Sequence, residues 1–183
     1  MRRASRHRSW AAADRGAAPA MQEALNRIVE FLVAIGIQTR LRPVAQGSFL
    51  SAIRIVHGGL VHDPQHLRWP GDLLHEAGHI AVTPAAQRAG LNDALDGAEA
   101  ASHGGELEAM AWSWAALVHL GLPGELLFHA QGYKGQSADL LLSFSMGVCP
   151  GSAGLARAGM TLVGEAARAS GQEPYPRMLR WLR

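Results

Sequence analysis

The chain has 183 residues, enough for one sizeable core without disulfide support, and its 48% hydrophobic against 17% charged composition excludes wholesale disorder. A single cysteine, Cys149, excludes an internal disulfide and a cysteine-built metal module, and makes a reducing cytoplasm the expected compartment. The net charge of +2 is no nucleic-acid footprint, because Arg2, Arg3, Arg6, Arg8 and Arg15 crowd a terminal run in which Asp14 is the only acid, leaving a mildly acidic body.

Residues 1–20 lack an apolar face to bury and read as a disordered basic leader. No apolar stretch follows Arg2 and Arg3, and no run of about 18 apolar residues occurs, so neither export nor a membrane span is expected. Residues 21–183 read as a single domain. From residue 21 to 35, Leu25, Ile28, Val29, Leu32 and Val33 recur at helical spacing with Glu23, Arg27 and Glu30 opposite, and Gly36 ends the helix. In residues 37–43, Ile37, Thr39 and Leu41 alternate with Gln38, Arg40 and Arg42, a half-buried strand closed by Pro43. A hairpin follows, with Ile53 and Ile55 on one strand, a turn at Gly58 and Gly59, and a return strand over 60–62. A small sheet therefore precedes the stretch PGDLLHEAGHIAVTP, residues 70–84.

That stretch starts like a helix, with Asp72 as the expected N-cap, and stops at Pro84, which disfavours helical geometry at Thr83. Residues four apart on a helix differ by about 400° of rotation and 6 Å of rise, so His75 and His79 project from one face and can meet one ion. Glu76 lies about 100° from His75 and about 60° from His79, beside that face rather than on it. This is the position of a general base next to a metal-activated water, with the proton returned to the leaving amine. A zinc ion held by three protein ligands lowers the pKa of its water to about 7, and here the ligands must be histidine and carboxylate. The small residues Ala77 and Gly78 between the histidines permit close approach by another element.

Residues 84–105 read as an Ala/Gly/Asp-rich connecting loop, and ELEAMAWSWAALVHLGL as a strong helix ended by Gly121 and Pro123. Trp112 and Trp114 on it are expected in the core. The remainder reads as short helices separated by Gly and Pro, the last over YPRMLRWLR. Between two of them, His129 and Tyr133 are the candidates for a hydrogen-bond donor to a substrate oxyanion. A metzincin site would need Gly and His three and six residues after His79, where Val82 and Ala85 stand, so the third ligand is sought as a carboxylate on the next helix. Glu106 and Glu108 both qualify; being about 200° apart, only one can face the metal.

LLHEAGHIAV followed by ELEAMAWSWAAL resembles the ImmA/IrrE-type metallopeptidases, whose active-site helix carries HExxH and whose next helix reads approximately E-x-x-A-x-x-F-A. The likeness covers residues 70 to 120. It implies a compact α+β, minigluzincin-like zinc peptidase domain: a small N-terminal sheet, the HExxH helix, and further helices. It also implies His75 and His79 as zinc ligands, Glu76 as catalytic acid/base, a glutamate of the second helix as third ligand, and a protein or peptide as substrate. Glu106 is favoured over Glu108, because its stripe continues through Ala109, Met110, Ser113, Leu117 and Leu120, whereas that of Glu108 runs into His119. Two departures stand out. Met110 or Trp112 occupies the place of an Asn often found in the family's second helix, and no helix-turn-helix precedes the sheet, so direct nucleic-acid binding is not expected. The rival reading is a catalytically silent zinc protein that recognises a protein partner; an intact Glu76, for which a pure binder has no need, favours the enzyme.

Overall fold

In a computed structural model that describes residues 14–44, 52–92 and 105–183, helix α1 (Asp14–Ala34) opens the fold. It starts seven residues before Met21, so residues 14–20, read as the end of the disordered leader, form its first two turns; residues 1–13 of that leader lie outside the described residues. Extending a helix already nucleated by an amphipathic segment costs little, and Ala17, Ala18 and Ala20 are the best residues for it, although Pro19 also lies inside. Leu25, Ile28 and Leu32 are buried as expected, but Val33 is 57% exposed and Phe31 takes the inward place.

The end of α1 explains where the first strand falls. Gly36 is left-handed (φ 94°) and its N–H reaches the Val33 carbonyl at 3.0 Å, while the Ile37 N–H reaches Leu32 at 2.9 Å, the two bonds of a Schellman motif. That motif tucks Ile37 against the core. Strand β1 (Thr39–Leu41) begins only afterwards, and Leu41, at the end of a strand paired on one side, is 67% exposed, so the expected alternation fails there. The hairpin β2 (Ile53–Val56) and β3 (Gly59–His62) forms as read, with its turn one residue earlier, at His57 and Gly58. Both are left-handed (φ 48° and 70°), the geometry of a two-residue hairpin turn. The sheet order is β1-β3-β2, with β1 parallel and β2 antiparallel to β3. Ile53, Ile55, Leu60 and His62 share its buried face.

Helix α2 (Pro70–Val82) carries the HEAGH segment, and the stretch read as a loop after it contains one helical turn, α3 (Ala85–Arg88). Arg88 turns back to donate to the carbonyls of Ile80 and Thr83 at 3.2 Å each, closing the end of α2. Residues 93–104 of that loop lie outside the described residues. Helix α4 (Glu106–His119) is buried on every side from Ala109 to Leu117, as suits a helix apolar all round, and Trp112 and Trp114 are core residues. A second Schellman motif at Gly121 (φ 58°) ends it. Two short 3₁₀ turns, Gly124–Leu126 and Tyr133–Gly135, lead to helices α5 (Ser137–Ser145), α6 (Ser152–Arg157) and α7 (Gly164–Ser170).

The last stretch, YPRMLRWLR, is not the helix its leucines suggested. Pro174 and Pro176 bracket Tyr175 without backbone donors, and the residues that follow spend theirs on other elements. Met178 bridges Thr161, Trp112 Nε1 donates to the Trp181 carbonyl at 2.8 Å, and the Arg183 N–H reaches Ala81 on α2 at 2.9 Å. Trp181 stands edge-on to Phe31 and Trp112. The architecture is thus α+β, a three-stranded sheet with helices. Among the described residues no helix is long and apolar enough to cross a membrane.

Candidate metal centre

Helix α2 starts with Trp69 as N-cap and Pro70 in the first helical position, where a missing N–H costs nothing. Asp72, expected as the cap, is instead the third helical residue. Its carboxylate takes a 2.9 Å hydrogen bond from His129 Nε2, and the His129 ring stacks on Trp69 at 4.6 Å and 4°. Burial raises the Asp72 pKa, opposed by the hydrogen bond and charge of His129. Asp72, His75, Glu76 and His79 follow the spacing i, i+3, i+4, i+7, so one stripe of α2 carries all four.

The two imidazoles meet as their spacing requires. Their Nε2 atoms are 3.2 Å apart and their rings perpendicular (88°). Glu106, first residue of α4, closes the triangle, with Oε1 at 3.3 Å from His75 Nε2 and Oε2 at 3.4 Å from His79 Nε2. A tetrahedral ion with bonds of roughly 2.0–2.1 Å has ligand atoms about 3.3 Å apart, so these edges fit a single ion. His75, His79 and Glu106 can hold a metal ion, with ligand atoms all within 4.8 Å of one another. The hydrogen bonds from His75 and His79 keep the Glu106 carboxyl well below the usual carboxylate range, so it stays charged.

The register of α4 depends on how closely it approaches α2. Gly78 lies against the Ala109 carbonyl, where a Cβ would come within 2.6 Å of the oxygen. One turn further along α4, the buried Ser113 hydroxyl sits 2.9 Å from the Leu74 carbonyl of α2 and 2.7 Å from Ala109 O of its own helix. Such contact is possible because Ala77 and Gly78 leave the α2 surface bare. Glu108 points elsewhere: its carboxylate fills the space beside Gly105 and Gly154 and lines a cavity of about 390 Å³ together with Thr83 and Arg157. Of the two candidate glutamates, Glu106 is the one brought to the histidines.

Glu76 is half-buried and flanks the face of α2 that carries the two histidines. Its charge, with those of Asp72 and Glu106, adds to burial in raising the pKa of Tyr133, which therefore stays protonated. The two loop candidates separate. Tyr133 places its hydroxyl 3.4 Å from His75 Nδ1, ring perpendicular to ring, while His129 is turned to Asp72. Sequence reasoning did not find the pairing of Asp72 with His129, nor Ser113 as a bridge between helices; the only signal for Asp72 was its place on the stripe of the histidines. No protein-family model, curated protein or solved structure matches the chain.

Proposed function

We propose that the protein is a zinc metallopeptidase of the ImmA/IrrE type, hydrolysing peptide bonds of a protein substrate in the cytoplasm. The observation that carries this reading is the convergence of His75 Nε2, His79 Nε2 and the Glu106 carboxylate at 3.2–3.4 Å, with Glu76 next to the first histidine on the same helix. Two imidazoles and one carboxylate suit zinc in a site that keeps a position open for water or substrate. Bound there, zinc supplies Lewis acidity, polarising a carbonyl and lowering the pKa of a water toward about 7. The side chains do the rest. His75 and His79 bind as neutral bases, and Glu106 offsets part of the ion's charge. Glu76 takes the proton of the attacking water and passes it to the leaving amine.

Zinc content measured beside peptidase activity on a fluorogenic peptide library tests the reading. The purified protein should hold about one zinc per chain, since there is one such cluster among the described residues. Alanine at His75 or His79 should empty the site. Glu76→Gln should keep the zinc and lose about 10²–10⁴-fold in turnover, the usual contribution of a general base. Loss of zinc in Glu76→Gln would make Glu76 a ligand and overturn its assigned role, whereas zinc without hydrolysis in the wild type would leave the silent zinc-binding protein as the better reading.

A further inference from the structure

A neutral imidazole carries one N–H, and the nitrogen that keeps it cannot bind a metal. For His75 the ligand nitrogen is Nε2, the atom facing Glu106 and His79, so with an ion bound there the proton has to reside on Nδ1. The hydroxyl of Tyr133 lies 3.4 Å from that Nδ1, with the phenol ring perpendicular to the imidazole (88°) and backed by Phe128 at 5.2 Å.

The backbone that delivers this hydroxyl is costly. Tyr133 (φ 51°) and Lys134 (φ 53°) are both left-handed, followed by left-handed Gly135, and only His57 shares that conformation among the other described non-glycine residues. Residues with a Cβ resist the left-handed region, and a bulky aromatic there persists only where its surroundings over-determine it. Here they do. Ser137 Oγ ties the carbonyls of His129 and Gly132 at 2.6 and 3.1 Å, and the His129 bond to Asp72 fastens the start of the loop to α2 itself. The loop is held on the very helix whose histidine Tyr133 touches.

We propose that Tyr133 is a positioning residue for the metal centre: its hydroxyl accepts the Nδ1–H of His75 and so holds the imidazole in the tautomer and orientation that present Nε2 to the ion. This rests on the reading of His75, His79 and Glu106 as the metal ligands. It differs from an oxyanion donor, the role suggested by sequence, because it acts before any substrate arrives.

Two measurements decide it. Zinc affinity of the wild type and Tyr133→Phe, by competition with a chromogenic chelator, should differ by about 10–100-fold, the usual effect of removing a hydrogen-bond partner of a ligand. Long-range ¹H–¹⁵N spectra of the zinc-loaded protein should show a His75 Nδ1–H protected from exchange with water in the wild type and exchanging faster in Tyr133→Phe, a change that a packing role would not produce. Equal zinc affinities, with loss confined to turnover, would overturn the proposal in favour of the oxyanion donor. If the variant does not fold, the wild-type spectrum still decides, because a His75 Nδ1–H of the zinc-loaded protein that exchanges freely with water overturns the proposal. A wild type that binds no zinc would overturn the metal reading itself, whereas zinc bound equally well by both proteins overturns only the role of Tyr133.

Discussion

Gly78→Ala probes the contact on which the third ligand depends. Taken alone, alanine in mid-helix is better than glycine by about 1 kcal/mol, so a surface position would gain stability. At Gly78 the new Cβ would stand 2.6 Å from Ala109 O, 2.9 Å from Ser113 Oγ and 3.1 Å from Ala109 C, two of the three being backbone atoms that no rotamer change can move. Reaching the 3.4 Å of an ordinary contact requires α4 to retreat by roughly 0.8 Å from α2. Overpacking of this kind costs about 1–3 kcal/mol, and the buried bond from Ser113 to Leu74, already at 2.9 Å, would be stretched and lose about 1 kcal/mol more. Against the helix gain, the net expectation is about 1–3 kcal/mol of destabilisation in urea unfolding of the metal-free protein. The metal should be affected as well. Glu106 lies one turn before Ala109 and moves with α4, whereas ligand distances tolerate only about ±0.2 Å, so zinc affinity should fall by about tenfold or more. A variant as stable as wild type or more so, with unchanged zinc affinity, would refute the argument, because helix propensity would then be the only term acting.

Glu106→Gln should weaken zinc binding far more than Glu108→Gln, read by the same chelator competition; the reverse would rotate α4 by about 200° from the register described. His62 is 1% exposed, and burial, partly offset by Asp63, lowers its pKa below the ordinary 6.5, so as pH falls below that value the unfolded chain takes up a proton that the folded chain refuses. The stability contributed by neutral His62 is complete above pH 6.5 and lost as pH falls through the depressed folded value, with a slope of at most about 1.4 kcal/mol per pH unit. Urea midpoints between pH 7.5 and 5 should show that component in wild type and not in His62→Leu; equal slopes would refute it.

What was legible from sequence was local. The i, i+4 spacing guarantees that His75 and His79 share a face, and the small residues between them announced a close neighbour, which is now Ala109 O. The hairpin was legible because its turn chemistry sits beside its strands, and the slip of one residue arose because His57 takes the left-handed place expected of Gly59. Tertiary contacts decided the rest. The segment 174–183 has enough apolar residues for a helix, and it is a run of turns and bends because Tyr175, Trp181 and Arg183 find better partners on α4 and α2. Tyr133 could be singled out as a polar residue between helices, but nothing in its neighbours predicts two left-handed residues in a row or the ring nitrogen on which its hydroxyl falls.

The two kinds of ligand differ in how they are secured. His75 and His79 owe the spacing of their backbone positions to one turn of α2, with Tyr133 left to hold the ring of the first. Glu106 comes from another helix, at its first residue, and its place is set by the packing of α4 against α2. That packing is pinned by Ser113 to Leu74 directly, and through the last residues of the chain, where Tyr175 donates to Ala111 at 2.9 Å, Trp112 to Trp181 at 2.8 Å, and Arg183 to Ala81 at 2.9 Å. This irregular segment is therefore bonded to both helices that carry candidate ligands, α4 through Tyr175 and Trp181 and α2 through Arg183. Substitutions of Tyr175, Trp181 or Arg183, none of them a candidate ligand, should act on the proposed centre by shifting one carboxylate, so their effect on metal affinity should have the ceiling of losing a single ligand.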